Sequence, residues 1–107
     1  MRSKEVNALI ASLRAFAPPL LPVRVYLRNL TKEDHIGSTE LIYSKDDKPS
    51  HFKIVVHNQV SYTYVRLVLL HEWAHALAWS LSRDVVDDHG PEWALAFSKL
   101  YQHFIEP

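Results

Sequence analysis

Residues 69–77 read LLHEWAHAL: two histidines and a glutamate set in leucine, alanine and tryptophan. From Tyr62 to Ser82 the pattern predicts a helix that is apolar on nearly all sides, with Val65, Leu67, Val68, Leu69, Leu70, Trp73, Leu77 and Trp79 spread around it. A helix of that kind lies at the centre of its domain, so the rest of the chain must pack around it. His71, Glu72 and His75 therefore sit in the most buried helix, where polar groups without partners are costly.

The three residues form an HExxH motif. Positions i and i+4 share one helix face, so His71 and His75 can hold one metal ion between them. Glu72 leans over the same edge, where it can take a proton from a metal-activated water. The bland alternative is a pair of core histidines satisfied by backbone carbonyls; the buried location of the motif counts against chance. A catalytic zinc site usually needs a third protein ligand. His89, His57, His51, His35, His103 and Glu92 are the candidates. His89 stands out because it lies in DDHGPEW (87–93), fourteen residues past His75 and just before a helix start. That gap lets the first helix end and the chain fold back. A glutamate at position 92 is already explained by the positive end of a helix dipole.

Working outward, Ser3 to Ala17 reads as an amphipathic helix carrying Val6, Leu9, Ile10, Leu13, Phe16 and Ala17 on one face. Ser3 is its N-cap, and Pro18-Pro19 stop it. Val23, Val25 and Leu27 alternate with Arg24, Tyr26 and Arg28, as in a half-buried strand. Thr39 to Ser44 and Phe52 to His57 read as two more strands joined in a hairpin through KDDKPS, with Gly37 in the connection before them. A last helix starts near Gly90-Pro91 and presents Trp93, Phe97, Leu100, Tyr101 and Phe104. Helix, three strands, helix, helix makes a small α+β domain, one unit over residues 1–107, with a mostly antiparallel sheet.

Composition narrows the chemistry. The 107 residues contain no cysteine, which excludes disulfides, thiolate zinc sites, iron–sulfur clusters and cysteine nucleophiles. Any transition-metal site must use histidine and carboxylate. Twelve basic and twelve acidic side chains cancel, and Arg24, Arg28, Lys53, Arg66 and Lys99 form no block. Charge thus gives no indication of DNA or a membrane surface as partner. No signal peptide is read in MRSKEVNALI, and the longest apolar region is interrupted at His71, Glu72 and His75, against a membrane span. A soluble, cytoplasmic protein is expected.

HEWAHAL followed by HGPEW, with an aromatic-rich helix after it, resembles the SprT-like metalloprotease family. The resemblance covers nearly the whole chain and implies a minimal zincin-like fold. It implies that His71, His75 and His89 hold Zn2+ and that Glu72 is the general base of a zinc-dependent peptidase acting on protein or peptide substrates. Many family members continue into a cysteine-rich zinc ribbon or a basic DNA-binding segment. These residues contain neither, so the family's role on proteins crosslinked to DNA carries over only weakly.

In proteins resembling this family the strand before the last, here Thr39 to Ser44, offers its edge to an extended peptide. Asp87 or Asp88 is a candidate acceptor for a ligand imidazole. Trp73, Trp79 and Trp93 read as core. No oxyanion stabiliser is singled out among Tyr62, Tyr64, Tyr101 and Arg66. Two rivals remain: a non-catalytic metal-stabilised binding module, and a protease that depends on DNA through a folded basic patch or a partner. The oligomeric state is not legible.

Overall fold

The computed structural model describes residues 3–79 and 89–106. Six elements follow one another: α1 (Lys4–Phe16), β1 (Val23–Arg28), β2 (Gly37–Tyr43), β3 (Pro49–His57), α2 (Tyr62–Ala78) and α3 (Pro91–Phe104). This is the α+β order read from the sequence.

Each helix begins where a cap allows it. The Ser3 hydroxyl accepts the Val6 N–H at 3.2 Å, satisfying an N–H that the first turn leaves without a partner. Ser61 does the same for Tyr64 at the head of α2. α3 starts on Gly90 with Pro91 in its first turn, where the missing proline N–H costs nothing. The last described residue of the α2 segment is Trp79, so the expected extension of this helix to Ser82 lies outside the described residues.

The sheet runs in the order β1-β3-β2. β2 and β3 are antiparallel, as the hairpin reading expected, with Thr39 opposite Ile54 and Leu41 opposite Phe52. β1 pairs parallel to β3, Val25 opposite Ile54, so the sheet is mixed rather than mostly antiparallel. The reason is that β3 enters the gap between its two predecessors, and its direction is set by the hairpin with β2. Gly37 is a correction of another kind: it is the first residue of β2 and not part of a connection.

One face of the sheet is buried. Val23 and Val25 from β1 with Phe52, Ile54 and Val56 from β3 join Val6, Leu9, Ile10 and Leu13 of α1 and the buried side of α2 in one core. Buried positions of α2 include Val65, Leu69, Leu70, Trp73, Ala74 and Ala76, which fall on nearly every side of the helix. Burying a leucine such as Leu69 or Leu70 is worth about 1.5–3 kcal/mol, and both are fully buried. The indole N–H of Trp73 donates to the Ala17 carbonyl at 2.8 Å, which ties the centre of α2 to the end of α1. Among the described residues no helix is long and apolar enough to cross a membrane.

Candidate metal centre

His71 and His75 are one turn apart on α2, and their Nε2 atoms lie 3.3 Å from each other. His89 reaches them from the residue before the α3 N-cap. Its Nε2 is 3.0 Å from that of His71 and 3.2 Å from that of His75. The backbone of His89 is left-handed, with φ 58°. Histidine is one of the residues found there more often than most, and here this turn accompanies the return of the ring toward α2.

The triangle of nitrogens identifies what could satisfy it. A neutral imidazole Nε2 either donates one hydrogen or accepts one. Three such atoms in mutual contact therefore leave at least one side of the triangle pairing two donors or two acceptors. An ion with Zn–N bonds of about 2.0–2.1 Å and tetrahedral angles separates its ligand nitrogens by about 3.3–3.4 Å. The observed spacings fall close to that range, and the all-nitrogen donor set suits a borderline cation. Among the described residues His71, His75 and His89 are the one group of three or more histidines and carboxylates that could hold a metal ion.

Glu72 is the one buried charged residue among those described, 7% exposed. Thr39 of β2 meets it twice, its hydroxyl 2.7 Å from Oε1 and 2.9 Å from the Glu72 carbonyl oxygen. A hydroxyl has one hydrogen, so the two acceptors share it. The second carboxylate oxygen, Oε2, lies 3.9 Å from His71 Nε2. Gly37 makes this close passage possible. A Cβ there would come 2.8 Å from Val68 Cγ1 and 3.0 Å from Glu72 Oε2. The strand can run against the carboxylate only where it carries no side chain.

Trp93 backs the three imidazoles. Its ring centre is 4.9 Å from His71, 5.6 Å from His75 and 4.7 Å from His89. Its indole N–H donates to the His71 carbonyl at 3.1 Å, and Phe97 stacks on it at 5.2 Å. The reading of Trp93 as plain core missed this place. The available signal was its position in HGPEW, one helical turn past His89. Trp79 is also more than core filling, since it lines the site cavity of about 340 Å3 together with Ser38, Thr39 and the three imidazoles.

The other candidate ligands lie elsewhere. His57 Nδ1 accepts the Leu30 N–H at 3.0 Å, and His51 is 3.0 Å from Ser50 Oγ. His35 pairs with Asp34 at 3.2 Å, and that contact lowers the Asp34 pKa below its usual value. His103 stacks on Phe16 at 3.8 Å. Glu92 is exposed in the first turn of α3 and borders a groove with Leu77 and Leu95. Of the oxyanion candidates Tyr62, Tyr64, Arg66 and Tyr101, none lines the cavity of the imidazoles. Asp87 and Asp88 lie outside the described residues.

Comparison with known proteins gives one match. A profile of the SprT-like family fits residues 28–105, from the end of β1 to the residue after α3. Neither the curated proteins nor the solved structures give a match to this chain.

Proposed function

The chain belongs to the SprT-like family, and we propose from this that it is a zinc-dependent metallopeptidase that hydrolyses peptide bonds of protein substrates. The observation carrying the reading is a buried carboxylate, Glu72, held at the edge of a triangle of imidazoles with Nε2 spacings of 3.0–3.3 Å. A purely structural zinc site closes with four protein ligands and has no use for such a carboxylate.

In this reading His71, His75 and His89 hold the ion. When bound, zinc supplies a Lewis acid for the scissile carbonyl and brings the pKa of water toward about 7. Hydrolysis adds water across the C–N bond, the oxygen to the carbonyl carbon and a proton to the departing nitrogen. Glu72 carries that proton, taking it from the water and handing it to the amine. The Thr39 hydroxyl holds Oε1, which fixes the carboxylate plane and leaves Oε2 on the His71 side. β2 is an edge strand, paired only to β3 among the described residues. An extended peptide laid along β2 would bring main chain past Ser38 and Thr39 into the site cavity.

The test is Glu72→Gln. It should keep the bound metal and lose turnover by about 10²–10⁴-fold, the range ascribed to a positioned general acid–base. Metal content and cleavage of an unfolded protein are read on both proteins. Equal cleavage by the two would sink the mechanism, and cleavage by neither at full zinc occupancy would favour a metal-stabilised binding module.

A second reading makes the peptidase respond to DNA. It draws on the sheet face turned away from the helices, where the Arg28 guanidinium stands 5.2 Å and Lys53 Nζ 5.8 Å from the centre of the Tyr26 ring. Arg24 is the register partner of Lys53 on the same face. Cations around a half-buried aromatic suit a single strand. Stimulation by DNA that fades steeply with salt would support it.

A further inference from the structure

Beside the imidazole cavity lies a second one of about 490 Å3, lined by Ile36, Tyr64, Leu67, Val68 and Phe97. The two cavities share Gly37, His71 and Glu72. Val68 belongs to the core and Phe97 packs against it, but the rest of the apolar lining is not explained that way. Ile36 and Tyr64 are each 45% exposed, and neither they nor Leu67 belong to the packed core cluster. A solvent-open apolar hollow against polar catalytic groups is the form of a ligand site.

Its position fixes what part of a peptide it would meet. Tyr64, Leu67 and Val68 precede His71 on α2, whereas His75 and His89 line the other cavity alone. Under the peptidase reading, the scissile carbonyl lies at the imidazole triangle and the departing nitrogen at the Glu72 carboxylate. The direction from carbonyl to nitrogen therefore runs from the first cavity toward the second. The next side chain along the substrate is that of the residue contributing the nitrogen.

We infer that this second cavity is a specificity pocket that takes a large apolar side chain, such as Leu, Met or Phe, from the residue on the amine side of the scissile bond. The inference rests on the peptidase reading. Leu67, Tyr64 and Phe97 set the size of the pocket. Gly37 keeps the passage between the two cavities open, since a side chain there would run into Val68 and Glu72. No lysine or arginine lines the cavity, and Glu72 borders it, so the pocket offers little to an acidic side chain.

Two readouts test it, one independent of turnover. Cleavage sites in an unfolded protein are mapped for the zinc-loaded parent, and a peptide is then built around the best site with Leu, Ala or Asp on the amine side. Binding of the three peptides to zinc-loaded Glu72→Gln protein is followed by fluorescence anisotropy and by the NMR shifts of the Leu67 and Ile36 methyls. The Leu peptide should bind about tenfold or more tightly than the Ala peptide, in keeping with the discrimination of an apolar pocket, and should move both methyl signals. Leu67→Arg, and Ile36→Asp at a position already 45% exposed, should each erase that preference with metal content unchanged. Cleavage with no apolar preference, and with both variants indistinguishable from the parent, would overturn the pocket while leaving the peptidase standing. If the zinc-loaded parent cleaves nothing, the peptides are built on an arbitrary unfolded sequence: Leu-selective binding at the two methyls would then overturn the peptidase but keep the apolar side-chain site, and absence of such binding would overturn both.

Discussion

Trp73 and Trp93 do similar things in two differently built regions. Each indole donates to a backbone carbonyl of another helix, Trp73 to Ala17 and Trp93 to His71. Trp73 is fully buried in the body made of α1, the sheet and α2. Trp93 is half-buried on α3, a helix with a single fully buried residue, Leu100. Two imidazoles and the carboxylate thus stand on the body that holds nearly all the buried residues, and the third imidazole stands at the head of an arm that buries Leu100 fully and packs Ala96, Phe97 and Phe104 on the core only in part. The difference teaches that the centre is also a joint. An ion held by His71, His75 and His89 would fasten α3 to α2, so that metal affinity and the docking of α3 would be one equilibrium.

The comparison can be broken most directly by truncating the two indoles. Trp73→Ala should cost about 3–5 kcal/mol, the range for deleting a large aromatic from a packed core, read by urea denaturation. Trp93→Ala should cost much less of the apoprotein's stability, yet weaken metal binding by about 10–100-fold, as removing a support behind ligands does. Equal stability losses with unchanged metal affinity would mean that the two regions are not different in kind. Next in size, Gly37→Ala forces a methyl against Val68 and Glu72 and should cost about 1–3 kcal/mol as overpacking. Its thermal unfolding midpoint should fall accordingly; no change would mean that β2 gives way without loss.

A smaller effect sharpens the coupling between arm and body. Chelation should raise hydrogen exchange in α3 about tenfold more than at the Leu69–Trp73 amides, because the arm has fewer fully buried residues to hold it. Uniform acceleration would show that α3 is not a separate unit. Smallest is a charge effect on the body's outer face. Burial first, then the positive charges of Arg24 and Lys53, hold the His51 pKa below its ordinary 6.5. A histidine whose folded pKa is depressed resists protonation in the native state. Its contribution to stability is therefore intact above about pH 6.5 and declines as pH falls through that value. Lys53→Gln should shift the His51 NMR titration midpoint upward.

Much of this was legible from period and caps. Ser3, Pro18 and the spacing of Val6, Leu9, Ile10 and Leu13 defined α1, and the all-round apolarity of α2 marked the central helix, because local chemistry decides both. The HExxH spacing and the HGPEW helix start brought the three imidazoles together for the same reason. What was not legible is what distant chain segments do to one another. The parallel pairing of β1 with β3 depends on where a later strand inserts, and no residue in VRVYLR encodes it. Thr39 meets Glu72 across 33 positions. Gly37 looked like a loop residue since the steric reason for it, Val68 and Glu72, lies on another element. His89 was found from sequence, but the indole behind it was not, because a tryptophan in an apolar helix face gives no sign of which side chains it will back.

The central strand of the sheet is the last one synthesised. β1 pairs with β3 and not with β2, so the main-chain groups it later gives to β3 stay unclaimed until His57 has emerged. At the usual 5–20 residues per second, the stretch from Arg28 to His57 takes about 1.5–6 s to make. For that interval VRVYLR is a bare template for any other nascent chain, and Arg24 and Arg28 within it are charges of the sort that discourage such pairing. The Arg14 guanidinium donates to the Val23 carbonyl at 2.8 Å on the opposite edge of the strand, since it is the neighbouring Pro22 carbonyl that takes the Phe52 N–H of β3; it covers one position of the edge that β3 leaves open. Those arginines guard the newborn chain, a duty unconnected with the metal centre.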